Sequence, residues 1–255
     1  NTAVGYLSLV ENTTGASNVA VGFEALQENT TGDNNVALGN LALSANTTAS
    51  NNIAVGQNTM VANTTGTRNL AIGKSAYGAS DTENDNIAIG YQAMVTNTAG
   101  GTQNIAIGNY SLDALTSGDG NVGVGMETLS ATNTGRYNTA VGYRALYTNT
   151  DGDTNIAVGK EAVFHNTTGD DNIGIGNQAL TTNVTGSNSV AIGNNEGKNN
   201  QSQNSVAIGN KAGFINQSEN SVAIGSSAGK TYQSLSKTYS AVEPPTWALL
   251  LAQST

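Results

Sequence analysis

Cysteine is absent from this chain of 255 residues, proline occurs twice, and charged and aromatic residues are scarce at 11% and 5%. Each shortage removes a class of protein. Without cysteine there are no disulfide staples, thiolate metal sites or cysteine nucleophiles, and the redox compartment stays open because a long solenoid needs no staples. An ordinary globular domain carries roughly 25% charged residues, so a conventional enzyme core is not expected. The charge that is present sums to −9, from 9 basic against 18 acidic residues, which repels phosphate backbones and anionic lipid, so nucleic acid is not an expected partner. No apolar run approaches the ~20 residues of a membrane helix. The chain opens inside a repeat, without a charged start or an apolar signal stretch, as a mature or excised piece would.

What remains is glycine, 31 residues of it, and 37% hydrophobic residues, supplied mainly by Ala, Val, Ile and Leu. The chain therefore folds on small side chains. A four-residue core, apolar-Ala-apolar-Gly, recurs with its glycine at Gly5, Gly22, Gly39, Gly56, Gly73, Gly90, Gly108, Gly125, Gly142, Gly159, Gly176, Gly193, Gly209 and Gly225. The spacing is 17 five times, 18 once, 17 five times and 16 twice. Such regularity means one structural unit stacked along an axis, each copy touching mainly its neighbours. The period is too short for a pair of helices and suits one turn of a β-solenoid. Two short strands per turn are expected: Asn-Val-Ala-Val-Gly, as in Asn18 to Gly22, and Ala-Leu, as in Ala25-Leu26 or Ala145-Leu146, followed by Asn-Thr-Thr-Gly turn chemistry.

Within the first strand the middle residue is Ala or Gly in every copy and its neighbours are nearly all Val, Ile or Leu, with Thr2 and Thr139 the departures. A continuous apolar run reads as a strand buried on both faces. A thin solenoid can bury only one face in its own interior, so the other is expected to pack on another copy of the chain. Val19-Ala20-Val21, Ile87-Ala88-Ile89, Ile105-Ala106-Ile107 and Val206-Ala207-Ile208 are the candidate structural and oligomer-forming strands. Four residues before the glycine stands Asn in eleven turns, including Asn18, Asn35, Asn52, Asn69 and Asn86. Stacked at the ~4.8 Å strand spacing, these amides are expected to form a ladder that satisfies backbone groups at the corner.

Towards the carboxyl end the turns read Asn188-Ser189-Val190-Ala191-Ile192-Gly193, with the same hexapeptide at 204–209 and 220–225. This resembles the head repeats of trimeric autotransporter adhesins, and similar repeats occur in phage and giant-virus tail or surface fibres. The resemblance covers about residues 1–230. It implies a left-handed parallel β-roll of about fourteen turns of 16–18 residues, assembled as a homotrimer, placed outside the cell on a cell surface or virion. It further implies attachment to a host or cell-surface receptor or glycan through many weak contacts. The 17-residue turn with Ala-Val-Gly and Asn-Thr-Thr-Gly corners departs from the adhesin pattern over most of the length and favours a generic fibre. Residues 231–255, with Pro244-Pro245, Trp247 and Leu249-Leu250-Leu251, fall outside the repeat and are read as a cap or a docking segment. Docking would give a head-to-tail polymer, the alternative function being a self-assembling filament subunit.

No catalytic, cofactor or metal site is expected. Gly225-Ser226-Ser227-Ala228-Gly229-Lys230-Thr231 places three residues between its glycines where the P-loop requires four. The pairs Gly123/Gly125 and Gly174/Gly176 are Ala-to-Gly variants of the repeat strand and are read as sites of close packing rather than a dinucleotide fingerprint. His165 is the sole histidine, and Asp151, Asp153, Asp170 and Asp171 read as solvated corner loops rather than a calcium site. Sequons at Asn12, Asn29, Asn46, Asn63, Asn166, Asn183, Asn200 and Asn216 fall mostly at one repeat position, which turn chemistry alone explains. Thr13, Thr30, Thr47 and Thr64 line one corner, but adjacent Thr-Thr pairs do not make the flat double row of an ice-binding surface.

Overall fold

The structure is a computed structural model that describes residues 1–97, 100–197, 203–214 and 218–229 in full, and the backbone alone of 238–240. It is an all-β parallel solenoid of about 13 turns. Fifteen strands of three residues each, β1 (Thr2–Val4) to β15 (Thr238–Ser240), stack in chain order as one parallel sheet. Among the described residues there is no helix.

The register is fixed by the alanine. Ala3 pairs with Ala20 and Ala20 with Ala37. It survives both changes of period. Ala88 of β6 (Ile87–Ile89) faces Ala106 of β7 (Ile105–Ile107) across the long turn, and Ala191 of β12 (Val190–Ile192) faces Ala207 of β13 (Val206–Ile208) across a short one. The extra or missing residue is absorbed in the loops, because a one-residue slip in the strands would turn the bulky side chains inward and the alanines out. β15 adds a further rung, pairing Ala223 with Tyr239, so the sheet extends past the boundary expected at 230. The rest of the 231–255 cap or docking segment lies outside the described residues.

Only one strand forms per turn, which corrects the expectation of two. The Ala-Leu segments form a turn in which alternate residues adopt positive φ: Glu24 and Leu26 at 53° and 50°, Arg144 and Leu146 at 55° and 51°. In a strand, adjacent side chains point to opposite faces, yet Ala25 and Leu26 are both fully buried. Alternating the hand of the backbone turns both inward. It also directs successive amides along the axis in opposite senses: Glu24 N donates to Tyr6 O of the preceding turn and Leu26 N to Ala42 O of the following one. Two left-handed residues cost about 2–4 kcal/mol, which burial of the leucine, about 1.5–3 kcal/mol, offsets in large part. The core is thus a column of strand alanines facing a column made mostly of leucines and methionines, Leu26, Leu43, Met60 and Met94 among them, with Tyr77 and Val163 at the same position.

The glycine after each strand is required twice over. Gly22 has φ +141°, and a Cβ there would lie 2.3 Å from Gly39 O.

Candidate interaction face

Because side chains alternate along a strand, the structure decides which residues face inward. Ala20, Ala88, Ala106 and Ala207 lie in the interior, essentially sealed from solvent. Val19 and Val21, Ile87 and Ile89, Ile105 and Ile107, and Val206 and Ile208 project from the outer face of the sheet and are half-buried or exposed. Ile72, Ile107 and Ile175 are each 38% exposed although they belong to the middle of the sheet. The outer face is therefore two parallel rows of branched side chains, aliphatic except at Thr2 and Thr139, roughly 60 Å long and 10 Å wide at strand spacing. Soluble monomers ordinarily leave apolar patches of only a few hundred Å² in water.

The inner corners are polar and closed. Asn18 N donates to Asn1 Oδ1 at 2.8 Å while Asn18 Nδ2 donates to Gly32 O at 2.7 Å. The same pair of bonds recurs at Asn35, Asn52 and Asn69. At Asn86 the amide bonds to Asn69 Oδ1, and Nδ2 reaches Gly101 O and the Tyr77 hydroxyl. A second ladder, which the sequence suggested only as turn chemistry, runs beside it: Asn29 Nδ2 donates to Asn12 Oδ1, Asn46 Nδ2 to Asn29 Oδ1 and Asn63 Nδ2 to Asn46 Oδ1. The sequon asparagines Asn29, Asn46, Asn63 and Asn166 are buried in this ladder, and Asn183, also buried, donates instead to Asn172 Oδ1. Asn200 and Asn216 lie outside the described residues. The recurrence of the sequon at one repeat position was the available signal for a ladder.

Departures from the repeat compensate one another. At Gly174 a Cβ would meet Val163 Cγ2 at 2.5 Å, and at Gly123 it would meet Ser111 Oγ at 2.6 Å and Thr128 Oγ1 at 2.8 Å. Each Ala-to-Gly change thus makes room for a side chain that branches or carries a hydroxyl at Cβ. Where Ser80 interrupts the second ladder, the buried Tyr77 hydroxyl accepts from Asn86 Nδ2 at 2.6 Å, and burial pushes its pKa up. Glu196 stands where other turns have Ala, Ser or Thr. It is buried, its Oε1 accepts from Lys211 N at 3.1 Å, and its Oε2 has no hydrogen-bond partner.

The remaining candidate groups are accounted for by neighbours one rung away. Asp153 Oδ1 accepts from Arg136 N and Asp170 Oδ1 from Asp153 N. Thr134 donates to Asp151 and Thr154 to Asp171. Among the described residues no group of three His, Asp or Glu side chains converges on a metal position. Thr13, Thr30 and Thr47 each donate their hydroxyl to the carbonyl of the threonine one turn on, at 2.9 to 3.2 Å. His165 is exposed, with its ring edge-on to Phe164. No helix of the described residues is long and apolar enough to cross a membrane.

Fold and face together define a parallel β-solenoid repeat protein whose sheet carries an apolar exterior. Comparison with protein families, with curated proteins and with solved structures finds no match to this chain.

Proposed function

We propose that the chain is a rigid, non-enzymatic rod that assembles laterally with copies of itself and serves attachment outside the cell. The observation that carries this reading is the double row of Val, Ile and Leu on the outer face. At about 600 Å² from its length and width it stands at the upper end of the patches that monomers leave in water, and its continuity along the whole sheet marks it as an interaction surface. A homotrimer suits the geometry. In a closed ring each protomer meets its two neighbours through different surfaces, and the two rows flanking the inward alanine offer one to each. The Asn-Ser-Val-Ala-Ile-Gly copies, with their likeness to trimeric autotransporter heads and to virion fibres, support the same arrangement and an extracellular place. The repeated, shallow flanks support binding to a surface receptor or glycan through multiplied weak contacts.

Light scattering on the purified chain tests the assembly. A particle three times the 25.8 kDa protomer supports it. Open, length-variable polymers would instead favour the filament subunit, and a well-folded monomer would overturn both.

A further inference from the structure

One aromatic stretch of the exterior also carries a guanidinium. Tyr147 and Phe164, one turn apart, stack with ring centroids 5.1 Å apart and planes 7° from parallel. The Arg144 guanidinium lies 5.0 Å from the Tyr143 ring centre and 5.3 Å from that of Tyr147. Arg144 Nε donates to Glu127 Oε2 at 2.5 Å, which raises the arginine pKa further. Each of these side chains is held by a partner on its own rung or the next, so the surface is set before any ligand arrives, and less ordering entropy is lost on binding. Tyr143 is 38% exposed and Arg144 36%.

We propose that this aromatic-guanidinium cluster is a binding subsite for neutral polysaccharide. A pyranose ring offers an apolar C–H face and a rim of hydroxyls. The cluster offers fixed rings beside planar donors on Arg144 and acceptors on Glu127. An acidic ligand is disfavoured by Glu127 and by the net charge of −9. The surface is flat, so an extended polymer crossing several rungs fits it better than a free sugar. The inference rests on the attachment reading and gives it a ligand class. The aromatic pairs Tyr6–Phe23 and Tyr91–Tyr110 have the rings without the guanidinium, which makes them internal controls.

The test is native affinity electrophoresis of the full chain in gels containing hydroxyethyl cellulose, galactomannan or dextran, with an alginate gel as the acidic comparison. The expected result is retardation by at least one neutral polymer, weakened about tenfold in Tyr147→Ala and Arg144→Ala and kept in Tyr91→Ala. Tyr147→Leu, which retains packing volume but no π face, gives the same loss if Tyr147→Ala unfolds. Migration unchanged in every neutral gel, retardation by alginate alone, or equal retardation of wild type and Tyr147→Leu each overturns the proposal. Those failures leave the lateral assembly standing, since particle mass reads it separately. A monomeric particle would in turn leave the gel result to be read by itself.

Discussion

The backbone amide of Asn69 donates to the side-chain oxygen of Asn52, 17 residues earlier, at 2.9 Å, while the Asn52 amide nitrogen reaches forward to Gly66 O at 2.8 Å. One side chain thus satisfies a buried donor and a buried acceptor on the rung beyond its own. Gly66 O also accepts from Asn63 Nδ2 at 3.1 Å, so the Asn69 amide is the group that depends on Asn52 alone.

Asn52→Ala orphans the Asn69 amide and leaves Gly66 O with its other donor, Asn63 Nδ2. At about 1–3 kcal/mol for one buried unsatisfied group, the loss is about 2 kcal/mol. The expected result is a lower denaturation midpoint in urea, with hydrogen exchange accelerated first at the rungs of Asn52 and Asn69. A change within about 0.5 kcal/mol would show that water replaces the amide.

Gly174→Ala drives a new methyl into Val163 and is expected to destabilise by about 1–3 kcal/mol. Val163→Leu moves the branch one carbon outward and restores the pairing seen at Leu146 and Ala157. The double variant should regain most of the loss in a thermodynamic cycle, and strict additivity of the two changes would refute steric coupling between them.

Ile107→Lys places a charge on the outer sheet face without entering the core. Lateral assembly should be lost, with the particle falling to the protomer mass, while the β-sheet circular dichroism of the chain is retained. An unchanged particle mass would mean that the aliphatic rows are not the interface.

Burial holds the Glu196 carboxyl above its ordinary pKa, an effect partly opposed by the backbone amides of Glu196, Lys211 and Asn194. A folded-state pKa raised above the unfolded one means that the native chain binds the proton more tightly. The contribution is therefore fully present below the unfolded pKa and is lost as pH rises through the folded one. The Glu196 contribution should decline as pH rises above the ordinary glutamate value of 4.5, and Glu196→Gln should remove that part of the pH dependence. An identical slope in the variant would assign it to other groups.

Much of the rod was legible in the chain before its coordinates. The glycine spacing counted the turns, and the invariant small residue at Ala20, Ala37 and Ala54 marked the strand and its register. Which face of the strand turned inward was not legible, since Val-Ala-Val is apolar on both sides. The Ala25-Leu26 segment misled for a related reason. Two adjacent buried residues look like a doubly buried strand, and positive φ at Glu24 or Arg144 carries none of the glycine or asparagine that normally signals it. The second asparagine ladder was hidden because Asn-Thr-Thr-Gly is equally good turn chemistry when exposed. The aromatic cluster joins Tyr147 to Phe164, which are far apart along the chain until the solenoid period sets them on neighbouring rungs.

The unbroken strand register has an evolutionary corollary. Excising or duplicating a complete in-frame block that keeps compensating pairs such as Val163 and Gly174 together joins rungs that already fit. Unequal recombination can therefore reset the length of this molecule in whole units without inventing a new contact. How far it extends is a matter of copy number, open to selection independently of whatever decorates its sides.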